Sequence, residues 1–125
     1  MYSFYDLFRR DPNVRYIEAG EFLFREGDHS EAEMFVMVAG RAHIIVGERV
    51  VEEAAPGEIF GEMALIERRE ARTASVKAIT QCGFVVIDEK RFHYLVTEMP
   101  QFAIEVMRVL AHRLRRADQA IQHSQ

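Results

Sequence analysis

Between Val14 and Ile87 the sequence is cut into short apolar runs by turn-forming breaks at Ala19-Gly20, Glu26-Gly27-Asp28, Ala39-Gly40, Val46-Gly47-Glu48 and Pro56-Gly57. The runs Phe22-Leu23-Phe24, Met34-Phe35-Val36-Met37-Val38, His43-Ile44-Ile45-Val46 and Phe84-Val85-Val86-Ile87 are rich in β-branched and aromatic residues, and each is too short to stand as a helix. This spacing predicts an all-β central region.

The flanks follow a different pattern. From Ser3 to Arg10, the apolar residues Phe4, Leu7 and Phe8 lie on one face of a short helix, which Asp11-Pro12-Asn13 stops. After Asp88, the segments Arg91 to Met99 and Gln101 to Ile121 carry helix formers with no interior glycine and are separated by Pro100, so two helices close the chain. In the second, Met107, Leu110, Leu114, Ala117 and Ile121 advance in steps of three or four and form one stripe. That stripe either packs on the β part or pairs with its counterpart on a second chain, and the strict heptad step favours a homodimer.

A chain of 125 residues has the common size of one domain, expected here over residues 1–125 with the β part at about 14–87 and the closing helices at about 89–122. The composition, 49% hydrophobic and 29% charged, is that of a folded soluble protein. No apolar run reaches the length of a membrane span, and the first residues lack the basic and apolar regions of a secretory signal. The lone Cys82 has no partner for a disulfide or for a cysteine zinc site, so a cytoplasmic location is expected and Cys82 reads as a buried inert thiol. A net charge of −4 gives no general attraction to nucleic acid. The run His112-Arg113-Leu114-Arg115-Arg116 could touch an acidic partner or suit the negative end of a helix, and is read as a solvated helix face. The five histidines, His29, His43, His93, His112 and His123, show no metal-binding spacing.

Chemistry concentrates between Phe60 and Val76. A strand ending at Ile59-Phe60 is followed by Gly61, which permits a tight turn and close approach to a ligand. Glu62 to Ile66 can then form one helical turn whose first amides favour an anion, and Ala64 leaves room for it. Ten residues beyond Glu62, Arg72 is expected to open the next strand with a planar fork that matches two phosphate oxygens. Glu62 would accept from a sugar hydroxyl, and Thr73 adds a neutral hydroxyl donor. On spacing alone, Glu62 and Arg72 could equally be an ordinary ion pair in a charged surface loop.

The stretch Phe60 to Val76 resembles the phosphate-binding cassette of cyclic-nucleotide-binding domains, the family of bacterial catabolite activator proteins, cyclic-nucleotide-dependent kinase regulatory subunits and cyclic-nucleotide-gated channels. The likeness extends to Gly20 through Asp28, to Met34 through Gly40 and to Pro56 through Phe60, covering about Val14 to Ile121. It implies a mainly β fold with flanking helices, an antiparallel β-roll (a double-stranded β-helix or jelly roll) followed by two C-terminal helices. It further implies that Glu62 binds the ribose 2′-hydroxyl and Arg72 the cyclic phosphate, with the backbone of Gly61, Met63, Ala64 and Leu65 lining the pocket. Thr73 stands where the family carries alanine, serine or threonine; cAMP is the first expected ligand and cGMP the second.

Two features depart from the family pattern. The linker Glu67-Arg68-Arg69-Glu70-Ala71 has neither glycine nor proline, and makes Arg68 and Arg69 competitors for the anion. The last helix carries Ala117 and Asp118 where bacterial activators hold adenine with hydroxyls, leaving Leu114, Ala117 and Asp118 as base-capping candidates.

The expected function is therefore a cyclic-nucleotide-binding regulatory module, not an enzyme and without cofactor or metal, that signals to an unknown effector by rearranging its C-terminal helices. With no DNA-binding domain after Gln125, a stand-alone chain would not act on DNA by itself, and no membrane partner is expected. The alternative is a ligand-free β-roll serving dimerisation or protein interaction.

Overall fold

The computed structural model describes residues 3–68 and 71–123, with side chains as far as Gln119. The chain runs α1 (Phe4–Phe8), β1 (Val14–Ile17), β2 (Phe22–Phe24), β3 (Glu33–Ala39), β4 (Ala42–Val46), β5 (Arg49–Ala54), β6 (Ile59–Phe60), α2 (Met63–Ile66), β7 (Ser75–Ala78), β8 (Cys82–Asp88), α3 (Glu89–Glu98) and α4 (Pro100–His123). The strands form two four-stranded sheets, β1-β8-β3-β6 and β2-β7-β4-β5, with every pairing antiparallel. Two such sheets face to face, with helices at both ends of the chain, make the antiparallel β-roll.

The runs of unbroken hydrophobicity in β3 and β8 follow from burial on both faces. Alternate residues of a strand point to opposite sides. Met34 and Val36 of β3, Val85 and Ile87 of β8, and Ile59 of β6 pack with Phe4, Phe8, Leu95, Phe102 and Val106 of the helices. Their neighbours Phe35, Met37, Phe60, Cys82 and Phe84 face the other way, against Ala42, Ala54, Val76 and Ala78 of the second sheet. The first sheet thus lies between the helices and the second sheet, whereas the outer face of the second sheet meets solvent: Val50 and Val51 of β5 are both exposed.

Helix boundaries follow local chemistry. Ser3 caps α1 by accepting from the Asp6 amide, and Asp88 caps α3 by accepting from the Arg91 amide. Pro100 begins α4 instead of standing between the two helices, because a first-turn residue needs no amide hydrogen and the ring presets the helical φ. A second difference concerns Arg72, which precedes β7 and does not open it. Its backbone is pinned across the roll, Gly27 N–H donating to Arg72 O at 2.8 Å and Arg72 N–H to Asp28 O at 2.9 Å.

Two overlapping apolar stripes run along α4. Phe102, Val106, Val109 and Arg113, in steps of four, three and four, face the roll, with Phe102 and Val106 buried in the first core. The stripe identified from the sequence is rotated from it by about one residue. Met107 is 58% exposed and Leu114 64% exposed, Ala117 is also exposed, Leu110 is half-buried, and the side chain of Ile121 lies outside the described residues.

Candidate functional site

A cavity of about 230 Å³ opens where β6, the Gly61 turn and α2 meet the segment leading into β7, beneath α4. Its lining includes Gly61, Glu62, Met63, Ala64, Arg72 and Thr73, six residues singled out from the sequence. Leu65 packs toward the helical core instead. Leu114, Ala117 and Asp118 are exposed and outside the lining, and Arg113 lies within it.

Glu62 and Arg72 are not a surface loop pair. Glu62 is 3% exposed and Arg72 7% exposed, and they do not pair with each other. Arg72 spans two carbonyls of the segment entering β3, Nη2 donating to Glu31 O at 3.2 Å and Nη1 to Glu33 O at 3.3 Å. Its guanidinium also sits over the rings of Phe24, at 4.6 Å, and Phe35, at 5.7 Å. Among the described residues no carboxylate comes within ion-pair distance of it. Burial pulls its pKa below the ordinary arginine value, and the more distant Glu33, Glu31 and Asp28 counter this. An arginine stays cationic at neutral pH, so the roll holds a buried positive charge whose hydrogen-bond partners, among the described residues, are neutral carbonyls.

Gly61 makes that placement possible. Its φ of +75° favours glycine, and a Cβ there would come 2.5 Å from Arg72 Nη1 and 3.3 Å from Glu33 O. The turn then closes with Ala64 N–H donating to Gly61 O at 3.1 Å and Leu65 N–H to Glu62 O at 3.0 Å.

Glu62 is engaged from above. Arg113 of α4 donates through Nη1 to Glu62 Oε1, and through Nη2 to Ile59 O at 2.6 Å. One turn later, Arg116 Nη1 donates to Glu52 Oε1 of β5 at 3.2 Å. The basic run 112–116 is therefore not only a solvated face, since two of its arginines hold α4 to the roll. Within that run the sequence does not set Arg113 apart as a site residue; its signal is the seven-residue step from Val106, which continues the inner stripe. Nearby, burial raises the Glu58 pKa above the ordinary carboxylate value. The Ala55 amide opposes that shift, Glu52 adds to it, and Arg113 and Arg116 also oppose it.

The remaining expectations fall elsewhere. Arg68 pairs with Glu89 of α3 at 3.0 Å, away from the cavity, and Arg69 lies outside the described residues. Cys82 is buried, and burial raises its thiol pKa. Among the described residues no cluster of His, Cys, Asp or Glu could hold a metal, and no helix is long and apolar enough to cross a membrane.

Roll, turn and buried arginine together define a β-roll module with an anion-compatible pocket. The chain belongs to the cyclic nucleotide-binding domain family, whose model matches residues 14–98. It is 32% identical over 104 residues to the cyclic AMP receptor protein of Thermus thermophilus, covering 79% of this chain and 47% of that one. It is also 32% identical over 104 residues to a lysophospholipase nte1 of Neurospora crassa, again covering 79% of this chain but 7% of the relative. A solved structure from work on a cyclic-GMP-dependent signalling pathway in bacterial phytopathogenesis superposes with a TM-score of 0.77 at 27% identity, over 93% of this chain and 95% of that one. The chain thus spans less than half the length of these curated relatives, and in them the domain accompanies both receptors and enzymes.

Proposed function

We propose that the cavity binds a cyclic nucleotide and that the chain acts as a ligand-controlled regulatory module, not as a catalyst. The observation that carries this reading is the buried Arg72 guanidinium beside the Gly61 turn, held by neutral carbonyls and lacking a carboxylate partner among the described residues. In this reading Arg72 and the backbone from Gly61 to Leu65 take the cyclic phosphate, Thr73 adds a hydroxyl at its edge, and Glu62 accepts from the ribose 2′-hydroxyl.

The ribose then competes with Arg113 for Glu62. Ligand binding exchanges a protein ion pair for a ligand hydrogen bond, and α4 changes its seat on the roll. The outer stripe of Met107, Leu110, Leu114 and Ala117 provides the face on which two chains pair and through which the movement reaches an effector. Leu114, Ala117 and Asp118 would come to cap the base only in the ligand-bound arrangement.

Calorimetric titration of the nucleotide-stripped protein with cAMP and cGMP tests this, with Arg72→Ala as control. Saturable binding at micromolar or lower concentration, weakened in the variant, is the expected result. The absence of heat from folded protein with either ligand would instead favour a ligand-free interaction domain, in which the Arg113–Glu62 pair is a permanent structural lock.

A further inference from the structure

We infer that Glu52 reads the base and that the pocket selects guanine over adenine, an inference that rests on the cyclic-nucleotide reading. Once Arg72 is assigned to phosphate and Glu62 to ribose, Glu52 is the remaining carboxylate in the cavity lining among the described residues. It stands on β5 opposite Ile44 of β4, which in turn stands opposite Val76 of β7, and all three residues line the cavity. The register of β4 with β5 slips between Ile44 and Ile45, where Ile45 faces Val50, so Val51 is the extra residue. Such a bulge re-aims the neighbouring side chain. It leaves Val50 and Val51 in solvent while Glu52 turns inward toward Ile44.

The order of groups along the cavity places Glu52 at the base. Arg113 holds Glu62 and Arg116 holds Glu52, and residues three apart on a helix rise by roughly 4.5 Å along one face. The two carboxylates therefore form a row beneath α4, with Arg72 and Gly61 beside Glu62. A nucleotide with its phosphate on Arg72 and its ribose on Glu62 extends its base along that row, over Ile44 and Val76, with an edge toward Glu52.

A carboxylate only accepts hydrogen bonds. Guanine offers it two adjacent donors, N1–H and the N2 amino group, whereas adenine offers the N6 amino group beside the N1 lone pair, which the carboxylate repels. Glu52 has an oxygen to give: among the described residues only Oε1 is engaged, by an Arg116 that is itself half exposed. A pair so placed is weak enough for a ligand to replace. This reverses the ligand order expected from the sequence.

The test is calorimetric titration of the full chain with cGMP, cAMP and cyclic IMP, which keeps N1–H but lacks the 2-amino group. The wild type should bind cGMP at least about tenfold more tightly than cAMP, with cyclic IMP between them. Glu52→Gln, whose amide donates once and accepts once as an adenine edge requires, should lose cGMP affinity and bring the two ligands level or reverse them. Wild-type binding of cAMP as tight as cGMP would overturn the inference, as would a ratio unchanged in Glu52→Gln. The ligand series in the wild type decides the matter even if the variant fails to fold. Folded protein that binds none of the three would sink the cyclic-nucleotide reading itself.

Discussion

The two ends of the cavity are built from different materials. At the Arg72 end the backbone does the holding: two carbonyls anchor the guanidinium, two aromatic rings support it, and main-chain bonds at 2.8 and 2.9 Å fix its own peptide units to the segment at Gly27 and Asp28. At the α4 end, Arg113 and Arg116 reach the roll through long side chains whose partners are carboxylates, supplemented by one carbonyl. Carbonyl anchors use some of a guanidinium's five donors without cancelling its charge. Carboxylate partners do cancel charge, and a ligand that competes for them can displace them. The first arrangement suits a fixed receptor, the second a movable reporter.

The largest expected effect comes from breaking the fixed end. Arg72→Ala removes the only buried guanidinium in the cavity lining among the described residues and should lower cyclic-nucleotide affinity by roughly 2 to 4 kcal/mol, about thirty- to a thousandfold, read by calorimetry. Gly61→Ala attacks the same end through the backbone. A side chain at φ +75° costs about 1 to 2 kcal/mol, and its Cβ must displace Arg72. The thermal midpoint should fall by several degrees, roughly 3 to 8 °C, while affinity also falls. Loss of stability without loss of affinity would show that Arg72 does not depend on that glycine.

Breaking the movable end should be milder for binding and more visible in the helix. Arg113→Ala leaves buried Glu62 without its cation and should destabilise the unliganded protein by about 1 to 3 kcal/mol, with faster hydrogen exchange over residues 107–119. Arg116→Ala breaks a half-exposed pair and should cost less than about 1 kcal/mol after solvent screening. The subtlest effect is that of pH. Because the folded-state pKa of Glu58 is raised above its ordinary value, its contribution to stability is fully present below the ordinary glutamate range and is lost as pH rises through the folded value. Glu58→Gln should therefore gain stability relative to wild type as pH rises from below the ordinary glutamate range through the raised folded value. A constant difference across that range would mean that burial does not govern this carboxyl.

Much of the fixed end was legible in the sequence because it is local. Gly61, a short helical turn and Arg72 fall within a dozen residues, where spacing alone left a surface ion pair open and the family resemblance pointed to a pocket, and the strand runs before them predict an all-β region. The movable end was less legible because it is tertiary. Arg113 meets Glu62 across 51 positions of sequence, and α4 carries two apolar stripes that a helical period alone cannot rank. Which stripe faces the roll is decided by Phe102, which packs edge-on against Phe4, Phe8 and Phe92, side chains whose convergence depends on the completed fold. Glu52 was hard to read as well, because it turns inward through a bulge that leaves no clear alternation in β5.

Hydrogen exchange with and without saturating cGMP tests the contrast between the two ends most directly. The account predicts that the amides of residues 107–119 change protection more than those of residues 73–78, because the ligand takes Glu62 from Arg113 while the framework behind Arg72 is already fixed. Unchanged protection along α4 with the cavity filled would contradict it.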